Sequence, residues 1–167
     1  MIQRAYSEKH RGRFTTYKDV EVCEDWLNFQ NYATWCYSQK FFKNKDENGR
    51  VYHLDKDLLF KGNKVYSPET CCFVPQEINS LIQNANLGKQ PLGVYFRESR
   101  GMYEATVRCG GEKVALGSYK TLEEAFNVYK KAKESYIKEV AEKWKGKIDD
   151  RAYEALMNYE VTKYGIS

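Results

Sequence analysis

Hydrophobic and polar residues alternate in three short runs, at 93–97, 102–108 and 113–117, which brief turns join. Successive side chains of a β-strand point to opposite faces, so this alternation predicts a sheet with one apolar and one polar face. The connections are too short for a crossover, which makes the predicted sheet antiparallel. The apolar set comprises Val94, Phe96, Tyr103, Ala105, Val107, Val114 and Leu116.

A helical pattern follows these runs. From Leu122 to Val140, apolar residues recur at three- and four-residue intervals, which predicts a long helix covering the apolar face of the sheet. Gly146 is expected to end this helix, and Asp149 or Asp150 to cap a last one.

The N-terminal half predicts another helix. Asp25 has the chemistry of an N-cap, and the helical spacing continues to about Gln39. Its apolar face would bury Phe29, Ala33 and Cys36 against short strands.

A strand, a loop, a second short strand and a helix are predicted in succession between residues 51 and 82. The first strand carries His53, Asp55 and Asp57 on one face, and Lys56 lies among them. One ordinary role of the two carboxylates is to pair with neighbouring lysines and order the loop. A second role, as oxygen ligands of a divalent cation with His53 as a base, is chemically sensible.

Composition places the basic charge in the C-terminal part. The 167 residues carry 27 Lys and Arg against 23 Asp and Glu, a net charge of +4. Residues 93–147 alone hold 12 basic and 8 acidic residues, so the excess lies there and fits a nucleic-acid partner. Five cysteines suit a reducing cytoplasm, and no apolar run reaches membrane-spanning length. We therefore expect a cytoplasmic protein.

Residues 91–137 resemble the ethylene-response-factor (Apetala-type) DNA-binding domain and its relatives in phage endonucleases. The matching motifs are Gly93-Val94, Tyr103-x-Ala105-x-Val107, Leu116-Gly117-x-Tyr119 and Thr121-x-Glu123-Glu124-Ala125. In that family the polar face of the sheet touches DNA, since the major groove admits strands. The alternative is a merely solvated sheet face. The resemblance implies these DNA contacts: Tyr95, Arg97, Arg100, Thr106, Arg108 and Lys113.

Residues 51–82 resemble the HNH segment of phage-encoded homing endonucleases, and nearly the whole chain resembles phage proteins that join the two parts. The family's general-base histidine aligns with Lys56, its central asparagine with Thr70 and its last asparagine with Asn79. A protonated lysine is a poor base, so His53 is the alternative catalytic group, with Lys56 holding the phosphate. The expected metal is Mg²⁺, bound by Asp55, Asp57 and Asn79.

The expected fold is α+β. An HNH-like ββα lobe (1–82) and a linker (83–91) precede a three-stranded antiparallel sheet packed on one long helix (92–146) and a C-terminal helical extension (147–167). We expect a protein that binds double-stranded DNA, either as a Mg²⁺-dependent nicking or homing endonuclease or as a catalytically degenerate binding protein. The second type would act as a phage regulator or would inhibit a host defence nuclease, and Lys56 with Thr70 favours it. The sequence leaves the oligomeric state open.

Overall fold

The computed structural model describes residues 2–7, 19–82 and 91–163. Two compact units are present, Met1–Ile82 with Lys145–Ala155, and Gln83–Trp144 with Leu156–Ser167. The expected extension 147–167 is thus divided between them, and the linker 83–91 falls almost wholly outside the described residues. No helix in the described part of the chain is both long and apolar enough to cross a membrane.

The first unit consists of short elements around an aromatic core. Trp26 is almost fully buried, and the centroid of its ring lies 4.5 Å from that of Trp35. Two small two-stranded sheets flank this core: β1 pairs in parallel with β3, and β2 pairs antiparallel with β4. The elements are α1 (Ile2–Tyr6), β1 (Glu21–Val22), α2 (Glu24–Leu27), α3 (Phe29–Ser38), β2 (His53–Asp55), β3 (Val65–Tyr66), β4 (Cys72–Val74) and α4 (Gln76–Leu81). Helix α6 (Asp150–Met157) begins in this unit and ends in the second one.

The predicted helix from Asp25 to Gln39 is wrong in one respect, because the chain breaks at Asn28. Asn28 is extended, and its side chain accepts a hydrogen bond from the Gln30 N–H at 2.9 Å, so Asn28 caps α3. Asp25 instead lies within α2. The break changes the face that the following residues present, and Phe29 is 69% exposed rather than buried. The burial of Cys36 is confirmed.

The second unit contains the predicted antiparallel sheet and long helix. Strands β5 (Val94–Arg97), β6 (Met102–Cys109) and β7 (Glu112–Tyr119) lie in sequence order, and α5 (Leu122–Trp144) packs on one face. Thr121 and Glu124 form a capping box at the start of α5, since each side chain accepts a hydrogen bond from the other's backbone N–H.

The apolar face of the sheet is buried at its centre and open at its ends. Val94, Ala105 and Val107 are buried, whereas Phe96 and Val114 are 42% and 43% exposed. Ala105 pairs with Gly117, whereas the next residue, Thr106, pairs with Ala115. Leu116, between these two partners on β7, has no partner of its own on β6 and forms a bulge. Simple alternation does not predict such an extra residue.

Candidate nucleic-acid interface

The face of the sheet opposite α5, here called the outer face, carries most of the predicted DNA contacts. The strand register places Tyr95 opposite Glu104, Arg108 opposite Lys113 and Thr106 opposite Ala115. Cross-strand partners share a face, so the structure brings these side chains together on one surface.

One end of the outer face holds two arginines around a single carboxylate. The Nε of Arg97 lies 2.9 Å from one carboxylate oxygen of Glu104, and a guanidinium nitrogen of Arg100 lies 3.7 Å from the other. The Glu104 side chain is only 22% exposed, whereas those of Arg97 and Arg100 are 62% and 69% exposed. The carboxylate orients both guanidinium groups. The alternation pattern places Glu104 on this face but gives no sign of its pairing.

The other end of the outer face carries cations with no acidic partner among the described residues. Arg108 and Lys113 are neighbours across β6 and β7, and both are exposed. The Nζ of Lys113 also lies 4.9 Å from the centre of the Tyr95 ring, a cation–π distance. Thr106 and Ala115 lie between the two ends, and their small side chains leave the strand backbones accessible to a ligand.

In the first unit, the predicted strand, loop, strand and helix correspond to β2, the segment 56–71, β4 and α4, and the segment 56–71 contains the short strand β3. His53 is exposed, whereas Lys56 is only 8% exposed. The ammonium group of Lys56 contacts the Asp57 carboxylate and donates a hydrogen bond to the Asn63 carbonyl at 2.9 Å. The Asn63 amide in turn donates to the Lys56 carbonyl at 2.7 Å. These hydrogen bonds join Lys56 to Asn63 and so hold the two ends of the loop together.

Asp55 and Thr70 are also used in shaping this loop. One carboxylate oxygen of Asp55 accepts hydrogen bonds from the backbone N–H groups of Asp57, at 2.9 Å, and Leu58, at 2.7 Å. Burial raises the pKa of Asp55, which disfavours its ionised form. The Thr70 hydroxyl accepts from the Ser67 N–H at 3.1 Å and donates to a backbone carbonyl.

These arrangements use both expected carboxylate ligands of Mg²⁺ in contacts within the loop, and the metal site stays a prediction. In the part of the chain that the structure describes, no three His, Cys, Asp or Glu residues are grouped so as to hold a metal ion. Hard cations take oxygen ligands from carboxylates, amides, backbone carbonyls and water. Asp57 is paired with Lys56, and one oxygen of Asp55 is held by two backbone amides. Asn79 lies half-buried in α4.

Comparison with protein-family models, with curated proteins and with solved structures finds no match to the chain. Any statement about its function therefore rests on the residues and contacts described above.

Proposed function

We propose that the protein binds double-stranded DNA through the outer face of its three-stranded sheet. The observation that carries this proposal is the pair formed by Arg108 and Lys113. Both are exposed on the face that α5 leaves open, and neither has an acidic partner among the described residues. Cations unpaired at a surface are free to replace the counterions of a phosphate backbone.

The remaining outer-face residues suit the same ligand. Exposed arginines reach guanine edges or phosphates, and Thr106 and Tyr95 offer hydroxyl groups to either. Antiparallel strands fit the width of the major groove. The Glu104 carboxylate between Arg97 and Arg100 limits how far those two side chains swing, which favours defined contacts over diffuse attraction.

We assign the first unit a binding role and not a cutting role. Lys56, at the position of the family's general base, and Asp55, an expected metal ligand, are engaged in loop contacts. Thr70, at the position of the central asparagine, is engaged in the same way. The compartment that we assign is the cytoplasm, since the five cysteines are free thiols and reducing conditions keep them so.

A matched pair of double variants tests this proposal by fluorescence anisotropy with a mixed-sequence duplex. Arg108→Ala with Lys113→Ala removes two charges from the outer face. Lys131→Ala with Lys138→Ala removes the same charge from exposed positions of α5, which covers the other face. We expect the outer-face variant to lose about 10-fold or more in affinity, and the slope of log affinity against log salt to fall by about two units.

The α5 variant should retain the slope of the parent. Equal losses in the two double variants, or no loss in either, would place duplex binding somewhere other than the outer face.

A further inference from the structure

A cavity of about 370 Å³ opens on the first unit, distinct from the sheet of the second unit. The rings of Phe41 and Phe73 line it. Phe73 is only 7% exposed, and its ring centroid lies 5.2 Å from that of Phe42 and 5.7 Å from that of Trp35. These contacts fix the Phe73 ring. Phe73 therefore supports the wall of the cavity, and the half-buried Phe41 is the ring on which a flat ligand can stack.

The rest of the lining of the cavity is polar and rich in hydrogen-bond acceptors. Gln39, Asp149 and Asp150 line it together with Arg151. Arg151 holds Asp149 through contacts of 2.8 and 3.1 Å and lowers the pKa of that carboxyl below its usual value. Asp150 has no ion-pair partner within the described ranges and is exposed. Its carboxylate is therefore available to a ligand that presents N–H donors.

A run of lysines begins at the cavity. Lys40 lines it, and Lys43 and Lys45 follow, while no acidic residue occurs between Asp25 and Asp46. None of the three lysines has an ion pair with any residue that the structure describes. This part of the surface is thus positively charged and fits a chain of phosphates.

Lys43 is held in place by aromatic side chains. Its φ of +62° is uncommon for a residue other than glycine. Its Nζ donates to the Tyr37 hydroxyl at 3.0 Å and lies 4.6 Å from the centre of the Tyr37 ring. Tyr37 is 70% exposed, and its ring contacts Phe42, which in turn contacts Phe73. A continuous row of rings therefore leads from the lysines to the cavity.

We propose that this cavity binds one unpaired nucleotide of a DNA strand, with the base stacked on Phe41 and the adjoining phosphates on Lys40 and Lys43. Interleaved lysines and rings are the combination that binds single strands. The inference goes beyond duplex binding by the sheet and does not depend on it, because all the lining residues belong to the first unit.

The acceptors of the cavity select among the bases. Guanine presents two adjacent donors, N1–H and N2–H₂, which match the two oxygens of the Asp150 carboxylate. Thymine presents a single N3–H between two carbonyl oxygens. These oxygens are themselves acceptors, so a carboxylate repels them. The site therefore prefers guanine to thymine.

The test uses the full chain, fluorescein-labelled oligo(dT) and the same strand with one central guanine. We expect the guanine strand to bind several-fold more tightly. Asp150→Asn should remove that preference, since an amide offers only one acceptor and adds donors. Lys40→Ala with Lys43→Asn should weaken binding of both strands; asparagine is chosen because it tolerates the left-handed conformation at position 43.

Two controls separate this site from the sheet and from misfolding. Arg108→Ala with Lys113→Ala should keep the guanine preference, so duplex and single-strand binding can fail independently. Far-ultraviolet circular dichroism and thermal unfolding verify that each variant folds. The proposal is overturned if the parent binds neither strand, binds both equally, or binds both as well after Lys40→Ala with Lys43→Asn.

Discussion

Gly93→Ala is a substitution for which the structure predicts a large cost in the second unit. Gly93 has a φ of +73°, a backbone conformation that residues with a Cβ atom disfavour. A Cβ atom added there would lie 2.2 Å from two ring carbons of Tyr129 and 2.6 Å from the Thr106 carbonyl oxygen. The Tyr129 ring is buried against the sheet, so it has little room to move away.

The backbone offers no easy relief either. The Thr106 N–H donates to the Gly93 carbonyl at 2.8 Å, so moving the two strands apart would break a hydrogen bond. Left-handed strain costs an alanine about 1–2 kcal/mol, and overpacking adds about 1–3 kcal/mol. We expect the free energy of unfolding of this unit to fall by about 2–5 kcal/mol.

Gly101→Ala is the matched control, because Gly101 has a φ of +62° and no atom within 4 Å of an added Cβ. It should carry the strain alone, about 1–2 kcal/mol. Hydrogen exchange of the peptide that covers β6 measures the stability of the second unit without interference from the first. If Gly93→Ala proves as mild as Gly101→Ala, the close packing of Gly93 against Tyr129 is refuted.

Three further predictions concern the first unit. Lys56→Ala should lower the free energy of unfolding of the first unit by about 1–3 kcal/mol in urea, because the Asn63 carbonyl loses its donor. Lys64→Ala is the control; it removes an exposed pair with Asp19 and should cost less than about 1 kcal/mol. Since Arg151 lowers the pKa of Asp149, their pairing stabilises the fold above the ordinary value of 3.8 and is lost as pH falls through the lowered value. Arg151→Gln should therefore cost at most about 1 kcal/mol near neutral pH, with the difference vanishing in acid. Supercoiled plasmid incubated with the protein and Mg²⁺ or Mn²⁺ should stay uncut, and nicking that His53→Ala abolishes would contradict the proposal that the first unit does not cut DNA.

The sheet and its long helix were predictable from sequence because local signals agree. Alternation assigned Val94, Ala105 and Val107 to the buried face, and the short turns left antiparallel pairing as the simple solution. The bulge on β7 was not predictable, because it depends on the hydrogen-bond register between β6 and β7 and on the local twist of the two strands.

In the first unit, the parts that sequence missed depend on contacts between distant residues. Asn28 has the chemistry of an N-cap, but the helical spacing continues through it and hides the break. The cavity needs residues 149–151 to approach 39–41, and no local pattern encodes that approach. The sequence offers one signal for it, the two rings of Phe41 and Phe42 flanked by Lys40 and Lys43.

The most direct test of DNA binding by the outer face is an NMR titration of the ¹⁵N-labelled protein with a mixed-sequence duplex. We expect the amide signals of Tyr95, Arg97, Thr106, Arg108 and Lys113 to shift or broaden first, with those of Lys131 and Lys138 unchanged at the same DNA concentration. Shifts confined to α5, or to the first unit with none on the outer face, would contradict the assignment of the sheet as the duplex-binding surface.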